Sequence, residues 1–183
     1  MFKKYEYNIH LVAEPFENLK YRDRTALILC RDGKGNYILG ASDQYPEGIV
    51  RMVGGGIDTS ETVAEGAMRE LSEEIGVTVE PKEMIELAEV YVTGDYNGKQ
   101  YKHRVFVYFF NSKKDDYLAG DDVDDVVSLS EKEYRELVQT FLHLKDDYLY
   151  DNQKGTIYSW GDYGKVYGFV HQVALDEVLD RGL

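Results

Sequence analysis

Residues 55–77, GGIDTSETVAEGAMRELSEEIGV, constrain this chain more than any other stretch. Glycines open the segment, and glycine takes backbone angles that other residues avoid. A helix is predicted over residues 60–75: Thr59 or Ser60 can cap its start, and Gly76 stands where a C-terminal glycine is expected. Val63, Ala64, Ala67, Met68, Leu71 and Ile75 form an apolar stripe that must dock on another element, naturally a sheet. Glu70, Glu73 and Glu74 stand at i, i+3 and i+4, so three carboxylates share the other face. Like charges at this spacing cost an isolated helix roughly a few tenths of a kcal/mol per pair. A hard divalent cation relieves that repulsion, because Mg²⁺ takes oxygen ligands and keeps water for chemistry. Arg69 lies four residues from both Glu65 and Glu73 and can pair with either. Acidic helix faces are also simply solvated, so the glutamates by themselves leave both readings open.

The remaining chain reads as interleaved strands and helices, which makes the class mixed α and β. Residues 25–30 and 37–41 are predicted strands joined by the turn-rich 31–36, a hairpin. Residues 87–92 and 105–110 are further strands. Thr93, Gly94 and Asp95 suggest that the first of these ends in a turn, and Asn97-Gly98 suggests a hairpin tip. Helices are expected over 131–144 and 169–179. Residues 1–23 read as an N-terminal extension or strand. From about 146 the chain reads as a C-terminal elaboration of a single domain spanning 1–183, with a Tyr- and Gly-rich start to 165.

The formal charge of -13 argues against bulk nucleic-acid binding and against anionic membranes. It would also repel a phosphate-bearing substrate unless a cation intervened, so little affinity is expected without metal. No apolar run is long enough for a membrane helix, and the N-terminus lacks the apolar core of a signal peptide. Cys30 is the only cysteine, which fits a cytoplasmic location. It sits in the apolar run 25–30 and reads as a small core residue, with no base marked beside it. His103 and Arg104 read as an exposed strand end, with contact to phosphate as the alternative. Trp160 reads as a packing residue, with covering a substrate as the alternative.

Gly55, Glu61, Arg69, Glu70, Leu71, Glu73, Glu74, Gly76 and Val77 fill every fixed position of a known pattern. The pattern is Gly, five residues, Glu, seven residues, Arg-Glu, an aliphatic residue, any residue, Glu-Glu, any residue, Gly, an aliphatic residue. The segment thus resembles the Nudix box, and the flanking strands extend the likeness loosely over 24–145. The resemblance implies an α/β/α sandwich with a mixed β-sheet between helices. It implies a hydrolase that cuts a phosphoanhydride bond in a nucleoside diphosphate linked to another moiety, with Mg²⁺ or Mn²⁺ as cofactor. The partner is then a small nucleotide derivative, with room left for a homodimer. By resemblance Gly55, Glu70, Glu73 and Glu74 hold the metal. Glu70 is a ligand or the group that deprotonates the attacking water, and Glu73 and Arg69 belong with it to the catalytic set. Arg69 organises the face by pairing with Glu61 or Glu73, and Glu61 is an organiser. Asp121 or Asp122, with Asp122 chosen, supplies a further catalytic carboxylate from an acidic loop that continues through Asp124 and Asp125.

Substrate-binding residues stay unassigned. In this family a proline downstream of the box marks ADP-ribose hydrolases, and a tyrosine slightly further on marks dinucleoside polyphosphate hydrolases. Val92 and Thr93 stand at the first place and Gly94 at the second. The alternative is a non-catalytic nucleotide-binding module on the same fold, which commonly loses glutamates that are all present here. An isopentenyl diphosphate isomerase would need a catalytic cysteine, against which the apolar setting of Cys30 argues.

Overall fold

The structure is a computed structural model and describes residues 1–112, 117–120, 123–151 and 155–183. Strand β2 (Arg24–Arg31) is its keel, buried along nearly its whole length. It pairs in parallel with β6 (Lys99–Asn111) and antiparallel with β3 (Tyr37–Ala41) and β4 (Val53–Gly56). Beyond β6 lie β5 (Met84–Tyr96), antiparallel, and then β1 (Lys3–His10), parallel to β5. β7 (Asp125–Leu129) closes the other edge against β3. The sheet is therefore mixed, in the order β1-β5-β6-β2-β3-β7 with β4 on β2.

Alternate residues of β2 face opposite sides, as strand geometry requires. Ala26, Ile28 and Cys30 meet Ala67, Leu71 and Ile75 of helix α2 (Val63–Ile75). Leu27 and Leu29 join the core that contains α3 (Glu131–Leu142) and α4 (Trp160–Asp180), and Leu19 of the short α1 (Glu17–Tyr21) belongs there too. Helices thus cover both faces, the expected α/β/α arrangement. Val63, Ala64 and Met68 are half-buried against the same sheet face, so the predicted stripe docks as anticipated. A small hairpin, β8 (Leu149–Asp151) with β9 (Ile157–Ser159), precedes α4.

Four local expectations need correction. Helix α2 starts at Val63 rather than residue 60, because Thr62 is the cap: its side chain accepts from Glu65 N and Glu65 accepts from Thr62 N. Strand β5 runs through Thr93, Gly94 and Asp95 without turning. Gly94 is small because a Cβ there would lie 2.7 Å from Leu19 Cδ2 and 3.1 Å from Leu11 Cδ1. The hairpin tip at Asn97-Gly98 is as read, with φ of 51° and 77°.

Helix α3 stops at Leu142, and α4 begins at Trp160, well before residue 169. Gly161, Gly164 and Gly168 in its first half weaken any local helix signal. They serve close packing instead: a Cβ on Gly164 would meet Phe141 O at 2.2 Å, and one on Gly168 would meet Leu142 Cδ2 at 2.9 Å. The N-terminal strand is fastened to α4 by Glu177, which is 2% exposed. It accepts from Lys3 Nζ at 2.6 Å, from the Tyr5 hydroxyl, and from Arg181 Nη2 at 2.7 Å. Burial by itself would raise this carboxyl; the three donors more than offset it and take it down to about 2. Among the described residues no helix is long and apolar enough to cross a membrane.

Candidate active site

Strand β4 lays three glycines alongside the start and middle of α2. Gly54 has φ of +136°, and a Cβ there would lie 2.1 Å from Ala26 O, so the position admits no side chain. A Cβ on Gly55 would fall 2.6 Å from Glu70 Oε1 and 2.7 Å from Oε2. The Glu70 carboxylate therefore lies across bare backbone. Gly54 N donates to Glu74 Oε2 at 2.8 Å. Two of the three helix glutamates are thus seated on the glycine strand.

Arg69 gathers the rest. Its Nη1 donates to Glu70 Oε1 and to Glu73 Oε2, each at 2.9 Å. Its Nη2 donates to Glu61 Oε1 at 2.8 Å and to Gly56 O at 2.9 Å. The expected partners Glu61 and Glu73 are both engaged. Glu65 is not, because its carboxylate is committed to the cap of α2. Glu61 is held below the usual carboxylate range by Arg69. Glu70 is raised above it by burial, with Arg69 only partly opposing. One guanidinium serves three carboxylates here, and Glu74 is a fourth beside them.

Among the described residues no set of three or more His, Cys, Asp and Glu side chains is arranged around one point as metal ligands are. The hydrogen bonds above explain it: Arg69 draws Glu70 and Glu73 to itself, and the Gly54 amide draws Glu74. The donor set nevertheless fits a hard divalent cation. It offers only oxygen, and burial raises the Glu70 carboxyl even with Arg69 bonded to it.

These groups line a groove of about 770 Å³ that also contains Arg22, Arg24 and Arg51. Arg24 Nη2 donates to Asp58 O at 2.9 Å, and Arg22 lies over Gly56, where a Cβ would meet its Nη1 at 3.0 Å. A second cavity of about 540 Å³ is walled by Phe16, Tyr45, Tyr150, Tyr158, Trp160 and Tyr163. The two share Glu17, Asn18, Gln44, Tyr45 and Arg51, so they are continuous. No sequence pattern marks the three arginines, which come from separate loops and strands. They place cationic groups beside the acidic face.

The other candidates sort as follows. Trp160 is both core and wall: it is buried, and it lines the aromatic cavity. Cys30 is buried, with its thiol pushed up to about 12, consistent with a core residue. His103 is not at an exposed strand end; it is buried, shares a 2.8 Å hydrogen bond with Arg22 O, and is pushed down to about 4 by burial. Arg104 is tied to Glu89 rather than turned to a ligand. Asp121 and Asp122 lie outside the described residues. Asp124 accepts from Asp43 N at 2.7 Å, and Asp125, at the start of β7, from Val126 N at 2.8 Å.

A family model for the NUDIX domain matches residues 20–152. No curated protein matches the sequence. Among solved structures, the mMutator MutT protein from Bacillus halodurans is 21% identical with a TM-score of 0.52, over 62% of this chain and 72% of that one. An Ap4A hydrolase from C. elegans is 15% identical with a TM-score of 0.50, over 88% and 99%. A MutT/nudix family protein from Enterococcus faecalis is 17% identical with a TM-score of 0.48, over 63% and 46%, so the chain spans less than half of that protein. At such identities the likeness is one of fold.

Proposed function

The chain belongs to the Nudix family, whose hydrolases act on phosphoanhydrides, and from that premise we propose that it cleaves the diphosphate linkage of a nucleoside diphosphate joined to another group, with a bound divalent cation. The observation that carries the reading is the Glu70 carboxylate: buried across the bare backbone of Gly55, raised by that burial, and flanked by Glu73 and Glu74 in a groove.

Glu73 and Glu74, with the carbonyl of Gly55, are the residues that would hold Mg²⁺ or Mn²⁺, and Glu70 would either join them or take the proton from the attacking water. When bound, such an ion lowers the pKa of water and offsets charge on phosphate oxygens. Glu70, raised by burial, suits the task of taking the proton from the attacking water. Water oxygen adds to one phosphorus, the bridging P–O bond breaks, and two phosphate monoesters leave. Arg69 keeps Glu70 and Glu73 in register on the helix. Arg22 and Arg24 line the groove where phosphate oxygens would lie. Asp122 is retained as the further carboxylate, to be tested by Asp122→Asn.

The test is product release from a panel of nucleoside diphosphate derivatives, with Mg²⁺, with Mn²⁺ and with chelator, beside Glu73→Gln and Glu74→Gln. Metal-dependent turnover lost in both variants supports the hydrolase. Tight nucleotide binding with no turnover across the panel would replace it with a binding module.

A further inference from the structure

The two edges of the main sheet end differently. β7 is five residues long, with Asp125 and Ser128 exposed along it. β1 is eight residues long, contains no proline, and keeps one unbroken register with β5. Among the described residues no strand pairs with its outer side. An edge of that length and regularity is a template for another strand. It is also held firm in advance. Lys3 and Tyr5 donate to Glu177, and Tyr7 stacks on Phe169 with 4.6 Å between centroids.

The charges along β1 say what fits there. Tyr5, Tyr7 and Ile9 pack toward the core, while Lys4, Glu6, Asn8 and His10 are exposed on the other face. A chain with a formal charge of -13 repels its own copies over most of its surface. This edge, with Lys3, Lys4 and Glu6, is not acidic. Lys4 lies 5.8 Å from the Tyr91 ring centroid, and among the described residues neither it nor Glu6 forms an ion pair.

Symmetry then restricts how two copies can meet. A twofold axis normal to the sheet pairs β1 with β1 antiparallel, and residues directly opposite share a face. The axis therefore passes between two copies of one residue. Centred on Lys4, it sets lysine against lysine; centred on Glu6, it sets glutamate against glutamate. Centred on Tyr7, it leaves Glu6 opposite Asn8 and Lys4 opposite His10. Centred on Asn8, it brings Glu6 to His10, which already faces Asp95 at 3.3 Å. Centred on Tyr5, it sets Lys4 opposite Glu6 on both sides of the axis and Lys3 opposite Tyr7. Opposite charges directly across a ladder stabilise it, and like charges oppose it.

We propose that β1 is an interface between two copies of this chain, paired antiparallel about Tyr5 so that Lys4 of each copy meets Glu6 of the other. Nothing in this pairing depends on the reaction. A single ladder buries little surface, so the dimer is weak and concentration-dependent.

Sedimentation velocity on the full chain, from about 5 to 500 µM, tests it. The native protein should pass from monomer to dimer with a Kd of roughly 10–100 µM. Glu6→Lys sets Lys4 opposite a lysine, and Lys4→Glu sets Glu6 opposite a glutamate. Each should weaken the dimer about tenfold or more. The first change lowers the net negative charge and the second raises it, so a bulk charge effect would move the two in opposite directions. Mixing the two variants in equal amounts recreates both pairs, and association should return to native strength. Both side chains are exposed, so each variant should melt within roughly 2 °C of native. If Lys4→Glu fails to fold beside Glu89, its neighbour on β5, Glu6→Lys decides. A native chain that stays monomeric throughout overturns the interface and leaves the edge to a strand of another protein or to none. A dimer that both single variants form at native strength overturns it too, as does a mixture that associates no better than either variant.

Discussion

On α4, Glu177 is one carboxylate met by Lys3, Tyr5 and Arg181; on α2, Glu61, Glu70 and Glu73 share the single guanidinium of Arg69, with Glu74 beside them. Both clusters place charge against the sheet, and the results are opposite. The carboxyl of Glu177 falls to about 2, while that of Glu70 is raised. A carboxylate surrounded by donors is a fastener. Several carboxylates gathered about one guanidinium are poised for another cation. An acidic face is informative where several carboxylates crowd one guanidinium and burial raises one of them.

The largest effect that would break this comparison is on turnover. Glu73→Gln and Glu74→Gln should lower kcat with Mg²⁺ by at least about a hundredfold, while each melts within roughly 2 °C of the native protein. Steady-state kinetics beside thermal melts decide it. If stability collapses and kcat holds, the α2 cluster is a fastener after all.

Next in size is the fastener itself. Glu177→Gln should cost about 2 kcal/mol, on the order of 4–8 °C in a chain of this length. Because its folded value lies below the ordinary 4.5, the stability it contributes is full above that pH and drains as pH falls toward 2. Melts of native and variant protein from pH 7 to pH 2.5 should therefore converge in acid. A constant gap across that window would mean that packing, not charge, is what the mutation removes.

A cation should act on one cluster only. Mg²⁺ at about ten times its Kd stabilises by roughly 1.4 kcal/mol, or on the order of 3–5 °C. Glu177→Gln should keep that upward shift in differential scanning fluorimetry and Glu74→Gln should lose it. An equal shift in both variants would place the ion elsewhere.

The smallest effect sharpens the contrast in chelator. Glu70 has a folded value above the ordinary one, so keeping it ionised costs stability at pH 7, and that penalty disappears as pH falls through its raised value. Glu70→Gln should then melt on the order of 2 °C higher than native at pH 7 and no higher near pH 4, while losing turnover. A lower melting point at pH 7 would show that its bond from Arg69 outweighs its burial.

How much of this was legible follows from where the signals lie. The acidic and apolar faces of α2, its terminal Gly76 and the hairpin at Asn97-Gly98 are set by residues within one or two turns of each other, and they stand as read. The first half of α4 was hidden because Gly161, Gly164 and Gly168 oppose a helix locally and are there to let α3 approach. Gly94 misled in the same way, as a turn signal that is a packing requirement. Arg51 carries no motif; its meaning comes from Tyr45, Tyr163 and Tyr167, two of them far along the chain.

By itself, then, the sequence determined the mixed α/β class, the family and the carboxylate face, because spacing along one helix converts directly into position on its surface. Contacts across the fold decided which glutamates Arg69 serves, which carboxyl burial raises, and that an aromatic cavity adjoins the groove at Arg51. Those properties depend on burial and on contacts between distant segments, and no local period in a chain encodes either.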